Sequence, residues 1–379
     1  MIKQKTFVIA EAGVNHNGNP SLAFELIDIA ADCGADAVKF QLFDSEEIAT
    51  EYAEKANYQL KDNNHSKQFE MLKSLELPKE IYKDLKDYCS IKKIDFLCTA
   101  FDKNNINFLV EKIKPKKLKI ASGEITNAPL LLAFAKTNYE LILSTGMSTI
   151  NEIKEALGVI AFGLINKDNK NITPSREKFI TAFESDFGKK KLEEKVSLLH
   201  CTTEYPAPQK DLNLKAIESM KNFFHLNIGY SDHSEGIDAS IVSVILGATI
   251  IEKHFTLDKN LVGPDHSASL DANELKNLIL KIRLVEGMTN EEKNRHLSSI
   301  KNLNVIMGDG IKEPKESEVK NIDIARRHLV ANKNIQIGEV FNEKNISCKR
   351  SKKGLSPILY WDLLGHISKS KYNKDDIIK

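Results

Sequence analysis

Cysteine is scarce in this chain. Five are scattered among 379 residues, at positions 33, 89, 98, 201 and 348, and no two stand at metal or redox spacing. An odd, scattered set excludes a disulfide framework and fits reduced thiols in a cytoplasmic protein. Long apolar runs are missing too. Nothing approaches the ~18 apolar residues of a membrane span, and the opening MIKQKTFVIAEAG is too short in apolar residues for a signal peptide. Excess charge of one sign is also absent. Lys and Arg number 54 against 53 Asp and Glu, for a net charge of +1. That balance gives no reason to expect a nucleic acid or a membrane surface as partner.

What is present is ordinary for a soluble globular protein: 41% hydrophobic and 28% charged residues. A prior of ~150 residues per domain suggests about two domains, although a single α/β barrel can take ~250. Eight short β-type runs recur, most of them separated by helical patterns: Phe7–Ala10, Ala37–Gln41, Asp95–Cys98, Leu118–Ala121, Leu141–Leu143, Ser197–Leu199, Asn227–Ser231 and Thr249–Lys253. That count closes a (β/α)8 TIM barrel, an α/β fold, here placed at residues 1–288. Asn19 and Pro20 read as an N-cap and first helical residue, and Gly34 as a left-handed stop. The polar stretch 44–68 exceeds the usual ~2–6 residues of a βα loop and reads as a functional loop at the barrel mouth. A Lys/Asn-rich insertion at about 163–196, with a helix starting near Thr173, Pro174 and Glu177, is expected to project from the opposite face or its rim, in a structural or oligomeric role. Residues 289–321 read as a linker, charged from Lys315 to Asn321. The tail 322–379 is a small unit with short strands and the chain's single tryptophan. Its core would be marginal alone, so it should lean on another domain or subunit.

Chemistry collects at the strand ends. In Asn227–Thr256 two strands flank an apolar segment of helical length. Strand alternation puts Ser231 with His233 on one face and Glu252 with His254 on another. Adjacent parallel strands would set the two histidines side by side, as ligands for a divalent metal or as structural residues bonded to carbonyls. The other runs end at Glu11 with Asn15 and His16, Lys39 with Gln41, Thr99, Lys119 with Ser122 and Glu124, Ser144, and Thr202 with Tyr205. A barrel gathers these ends at one face, where barrel enzymes keep their active sites. Two lysines among hydroxyls suit a small substrate carrying phosphate and carboxylate. Histidines with open positions suit a Lewis-acid metal. Glu11, Glu124 and Glu252 can act as acid, base or hydroxyl clamp.

The stretches IAEAGVNHNG, ADAVKFQ, KIASGEITN, ILSTGMSTI, LLHCTTEYPAP, GYSDHSEG, IEKHFTLDKN and GPDHSASL resemble the sialic acid (nonulosonate) synthase family over nearly the whole chain. The tail VANKNIQIGEVFNEKNI resembles that family's antifreeze-like (SAF) domain. The resemblance implies condensation of phosphoenolpyruvate with an open-chain N-acylated mannose-type sugar, with loss of phosphate. It implies a divalent metal, Mn2+ with Mg2+ or Co2+ as substitutes, on His233 and His254. It implies that Lys39, Thr99, Lys119, Ser122, Ser144 and Ser231 hold phosphoenolpyruvate, with Thr203 added where some members have asparagine. Glu11, Gln41, Tyr205, Glu252 and Asp265 fall around the sugar, and Glu124 falls near the reacting centre.

Arg350 matches an arginine that the partner's small domain inserts over the active site of a domain-swapped homodimer. Here it is followed by Ser351, Lys352 and Lys353, where the family often has Pro-Gly, so a more mobile loop is expected. The motifs lean toward 2,4-diacetamido-2,4,6-trideoxymannose as acceptor, giving N,N'-diacetyllegionaminate. N-acetylmannosamine, giving N-acetylneuraminate, is the alternative. The Tyr58 region and the Arg350 loop would choose between them. Two other readings are a non-catalytic carbohydrate-binding protein and a sugar-phosphate condensing enzyme of the DAHP or KDO8P synthase kind, the latter disfavoured by the C-terminal unit.

Overall fold

The computed structural model describes residues 5–56, 59, 67–169, 171–351 and 353–379. Eight parallel strands close a barrel in chain order: β1 Phe7–Gly13, β2 Ala37–Leu42, β3 Asp95–Ala100, β4 Lys117–Ile120, β5 Glu140–Ser144, β6 Val196–Cys201, β7 Asn227–Asp232 and β8 Ile250–His254. β1 seals it by pairing with both β2 and β8, with Glu11 opposite Lys39 and His254. All eight expected runs are strands.

Strand alternation builds two cores. Val8, Ala10, Val38, Phe40, Phe96, Leu118, Leu141, Ile228 and Ile251 face outward into the large core under the helices. Ile9, Ala37, Leu97, Ile142, Leu199 and Ile250 face inward and fill the barrel. A Cβ at Gly229 would lie 2.5 Å from the Ile250 carbonyl and 2.6 Å from Leu199, so this inward position on β7 must be glycine. The helices start where the sequence signals them. Asn19 caps Pro20–Asp32, and Thr149 with Glu152 forms a capping box on Ile150–Ile165. Gly34 takes φ +83° just past the first helix.

Two connecting segments carry helices that pack onto the rest of the chain. The first is the insertion. Its helices Arg176–Glu184 and Asp186–Lys195 bury Phe179, Ala182 and Leu192, and the Phe179 ring packs between Phe162 and Trp361. Apolar residues spaced along a polar insertion give it a face to bury. The second is 289–321, read from the sequence as a linker. It carries the helices Asn290–Ser299 and Leu303–Met307 and the start of Glu316–Ala325, whose Glu318 and Asn321 are fully buried against the barrel. Beyond it, β9 Arg327–Ala331 and β10 Ile346–Arg350 form an antiparallel pair. They sit over a small core of Leu329, Ala331, Ile335, Phe341, Ile346, Tyr360 and Ile378.

Candidate active site

The inward-facing strand positions change character toward the carboxyl ends. Glu11, Lys39, Thr99, Ser144 and Glu252 stand two residues beyond Ile9, Ala37, Leu97, Ile142 and Ile250, so they form a polar layer on top of the apolar one. One cavity opens above that layer and is bounded on its far side by residues of the C-terminal unit.

Charges on this floor are close and buried. Lys39 Nζ lies 2.7 Å from Glu11 and 3.6 Å from Glu252, and donates to Thr99 Oγ1 at 3.2 Å. Lys119 Nζ lies 3.7 Å from Glu252 and donates to Ser144 Oγ at 2.6 Å. Ser231 Oγ donates to Glu252 at 2.9 Å, and the Gln41 amide to Glu11 at 3.4 Å. Burial alone would raise Glu252, but Lys119 and Lys39 together outweigh it and hold the carboxyl down at about 2. Burial pushes Glu11 up to about 7 against the pull of Lys39. Two ammonium groups therefore face one firmly ionised carboxylate. The excess positive charge in a poorly solvated floor favours a small anion.

A second polar corner lies at the ends of β4, β5 and β6. Ser122 Oγ accepts the Gly146 N–H at 2.9 Å. Thr203 Oγ1 is buried with no hydrogen-bond partner among the described residues. A Cβ at Gly146 would come within 2.1 Å of that oxygen and 3.0 Å of Ser122 Oγ, so the missing side chain keeps the corner open.

The histidines stand at the other side, with ring centroids 5.7 Å apart. His233 Nδ1 donates to the Thr202 carbonyl at 2.8 Å, which leaves Nε2 as the acceptor nitrogen. His254 Nδ1 is buried without a hydrogen-bond partner among the described residues and lies 3.9 Å from Asp265. Burial lowers His233 to about 4 and His254 well below its ordinary value, so both rings are neutral. Neutral imidazoles with ring nitrogens left unprotonated are the state a divalent cation needs. The pair fits two protein ligands with the remaining positions left to substrate and water. No group of three or more His, Cys, Asp or Glu side chains placed to hold a metal occurs among the described residues. The Tyr205 ring lies 4.2 Å from the His233 ring. Burial pushes Asp265 up to about 6.

The cavity thus brings together Glu11, Lys39, Gln41, Thr99, Lys119, Ser122, Ser144, Thr203, Tyr205, Ser231, His233, Glu252, His254, Asp265 and Arg350. Glu124 is the exception. It is fully buried and does not line the cavity. Its carboxylate is taken by Arg327 at 2.8 Å and by Asn127 at 2.7 Å. A carboxylate so placed ties the end of β4 to the C-terminal unit. Tyr58 and Lys352 lie outside the described residues. Arg350 lines the cavity. Its carbonyl accepts the Thr50 N–H at 3.0 Å, and its guanidinium lies 6.0 Å from the Phe101 ring.

Several residues around the cavity carried no signal in the sequence. Val14, Met71, Leu72, Leu75 and Phe101 form an apolar wall beside Gln59 and Gln68. Arg327 also donates to the carbonyls of Glu47, Ile48 and Phe101, joining the C-terminal unit to two barrel loops. An arginine opening an apolar strand, RHLVA, was the one available hint.

Known proteins resemble this chain over nearly its whole length. A family model described as the NeuB family matches residues 26–294. An N,N'-diacetyllegionaminic acid synthase of Campylobacter jejuni subsp. jejuni serotype O:2 is 45% identical over 99% of both chains. A protein of the same name from Legionella pneumophila subsp. pneumophila is 37% identical over 95% of this chain and 89% of its own. The crystal structure of the Bacillus subtilis spore coat polysaccharide biosynthesis protein SpsE superposes with a TM-score of 0.77 at 32% identity, over 99% of this chain and 94% of that one.

Proposed function

This chain belongs to the NeuB family, and on that premise we propose that it condenses phosphoenolpyruvate with open-chain 2,4-diacetamido-2,4,6-trideoxymannose, giving N,N'-diacetyllegionaminate and phosphate. The observation that carries the reading is the floor, where Lys39 and Lys119 face one ionised carboxylate next to two neutral histidines. Identity of 45% over the full length of a synthase of that name supports the product. The apolar wall of Val14, Met71, Leu72, Leu75 and Phe101 supports an acceptor that carries a methyl group in place of a hydroxyl.

Lys39 and Lys119, with Thr99, Ser144 and Ser231, hold the anionic ends of phosphoenolpyruvate. Ser122, Thr203 and the Gly146 corner take the phosphate. Gln41, Tyr205, Asp265 and Arg350 orient the sugar. A divalent cation, Mn2+ foremost, held by His233 and His254 would supply Lewis acidity to the aldehyde oxygen. The enol carbon C3 attacks the aldehyde carbon, forming the new C–C bond while the aldehyde oxygen takes a proton. Water adds at C2 and gives up a proton. The resulting hemiketal phosphate loses its hydroxyl proton as the C–O bond to phosphate breaks, leaving the ketone. Glu11, buried and raised to about 7, can hold or release a proton near neutral pH beside Lys39 and Gln41.

The same proposal covers the tail from residue 322 as a SAF domain, a homodimer in which that domain closes the site, and work in the cytoplasm. The five cysteines are all unpaired, and no described helix is long and apolar enough to cross a membrane. The test is incubation with phosphoenolpyruvate, Mn2+ and both acceptors in competition, with mass spectrometry of the product. The diacetyllegionaminate mass should dominate. Only N-acetylneuraminate would move the acceptor to N-acetylmannosamine. No phosphate release with either sugar would refute the condensation itself.

A further inference from the structure

The helix Glu316–Ala325 grips two barrel loops by their backbones. One carboxylate oxygen of Glu318 accepts both the Met147 N–H at 2.7 Å and the Thr203 N–H at 2.8 Å. Asn321 donates to the Thr203 carbonyl at 2.7 Å and to Glu204 at 3.0 Å. Both backbone polar groups of Thr203 are therefore fixed by one helix, and Glu318 and Asn321 are each 1% exposed. The second Glu318 oxygen accepts the Lys315 N–H at 3.0 Å, and Glu318 is the leading opposing charge on the buried Lys312. So much buried polar chemistry in a connecting helix is more than docking requires.

Thr203 lies between the two groups that position His233. The carbonyl of Thr202 takes the His233 Nδ1 proton, and the ring of Tyr205 lies against the His233 ring. We propose that Glu318 and Asn321 are positioning residues that, through Thr203, hold the Thr202 carbonyl and the Tyr205 ring in place and so keep His233 Nε2 turned to the cavity as a metal-binding nitrogen. The inference rests on the reading of His233 and His254 as metal ligands. Its physical basis is that the hydrogen bond on one ring nitrogen fixes the orientation and tautomer of the other. It also gives the segment between barrel and C-terminal unit a task. Docking of that helix completes the histidine side of the site as well as closing the cavity.

The test is Mn2+ binding to the substrate-free full chain, followed by electron paramagnetic resonance of the free ion, with thermal unfolding recorded for each variant. Glu318→Ala should weaken Mn2+ binding ~10-fold or more, in the range typical when the partner of a ligating histidine is disturbed. Glu318→Gln keeps an oxygen for the two amides and should recover most of the affinity. Asn321→Ala, which leaves the Glu318 contacts in place, should weaken binding by a few-fold and keeps the question open to test if Glu318→Ala does not fold. Arg326→Ala is the control. Arg326 bonds Glu152 and the Met147 carbonyl but not Thr203, so its loss should lower the unfolding temperature with Mn2+ affinity unchanged. Wild-type affinity in Glu318→Ala and Asn321→Ala would overturn the positioning role, as would losses in Arg326→Ala that match theirs. His254→Ala separates the two levels: if it leaves Mn2+ binding unchanged, the metal reading falls and this inference falls with it.

Discussion

The floor of the cavity and its roof are built on different principles. The floor is made of strand residues whose direction is set by alternation, and its charged groups are locked to each other within 2.7–3.7 Å. The roof is assembled from Ala56, Gln59 and the segment 68–75, the helix Glu316–Ala325 and β10. It is held down at a few buried points, chiefly Arg327 on Glu124 and Glu318 on the two loops. The difference divides the labour. A rigid polar layer can fix the anion and the reacting atoms, which are shared by every acceptor. A closing surface of loops can change its wall with little cost to the barrel, and that is where one sugar is told from another.

The comparison predicts that damage to the floor is catalytic and that damage to the roof is selective. Lys119→Met tests the first half. It keeps the length of the side chain but removes the ammonium that donates to Ser144 and faces Glu252. Turnover should fall by about 10³-fold with either sugar, the scale of losing a buried group aimed at developing charge. The Glu252 carboxyl should also rise from about 2, because its leading opposing charge is gone. Steady-state phosphate release with each acceptor measures the first effect. A loss confined to one sugar would break the division of labour.

That division also explains what was readable in the sequence. Strand periodicity and polar strand ends located the barrel and every floor residue, because alternation converts chain position directly into facing. Alternation says less about Glu124, expected near the reacting centre. After Ser122 the chain turns into a short 3-10 helix, so alternation no longer applies and the carboxylate points away to Arg327. Glu318 and Asn321 sit in a charged run that looks solvated, and only their long-range contacts with Met147 and Thr203 show otherwise. The packing of the linker and of the insertion was hidden in the same way. Their apolar or polar anchors, such as Phe179 against Trp361, are single residues whose partners lie far off in the chain. The apolar wall had no pattern of its own, since Met71, Leu72 and Leu75 read equally well as the buried side of an ordinary helix.

Arg350→Ala tests the roof. Arg350 lines the cavity on the roof side, so its loss should raise KM for the sugar about 10-fold, ~1.4 kcal/mol, with KM for phosphoenolpyruvate unchanged. Mixing Arg350→Ala with Lys119→Met protomers sharpens the result. With the roof closing its own chain's cavity, as in the structure, mixed samples stay as poor as the sum of their parts. If a partner's roof closes the cavity instead, subunits that keep Lys119 receive an intact Arg350 and activity is partly restored.

The smallest effect concerns how the roof is fastened. Arg326, at the end of the docked helix, bonds Glu152 at 2.6 Å on the helix that follows β5. Burial would raise the Glu152 carboxyl, but the Arg326 hydrogen bond and charge outweigh it and hold it below its ordinary 4.5. A carboxyl depressed in the folded state binds fewer protons there than when unfolded between the two pKa values. Its contribution is therefore complete above about 4.5 and is lost as pH falls through the lower, folded value. The pair is partly exposed, so the amount is screened to about 1 kcal/mol or less. Hydrogen-exchange protection factors of the Glu316–Ala325 amides, corrected for the intrinsic exchange rate at each pH, should fall on acidification from pH 5 toward pH 3, while those of β2 and β8 hold, because Glu252 on the floor remains ionised down to about 2. Glu152→Gln should remove most of that pH dependence from the helix and leave the strands as they were. Equal loosening of helix and strands would mean that floor and roof unfold as one unit and that the distinction between them is chemical but not mechanical.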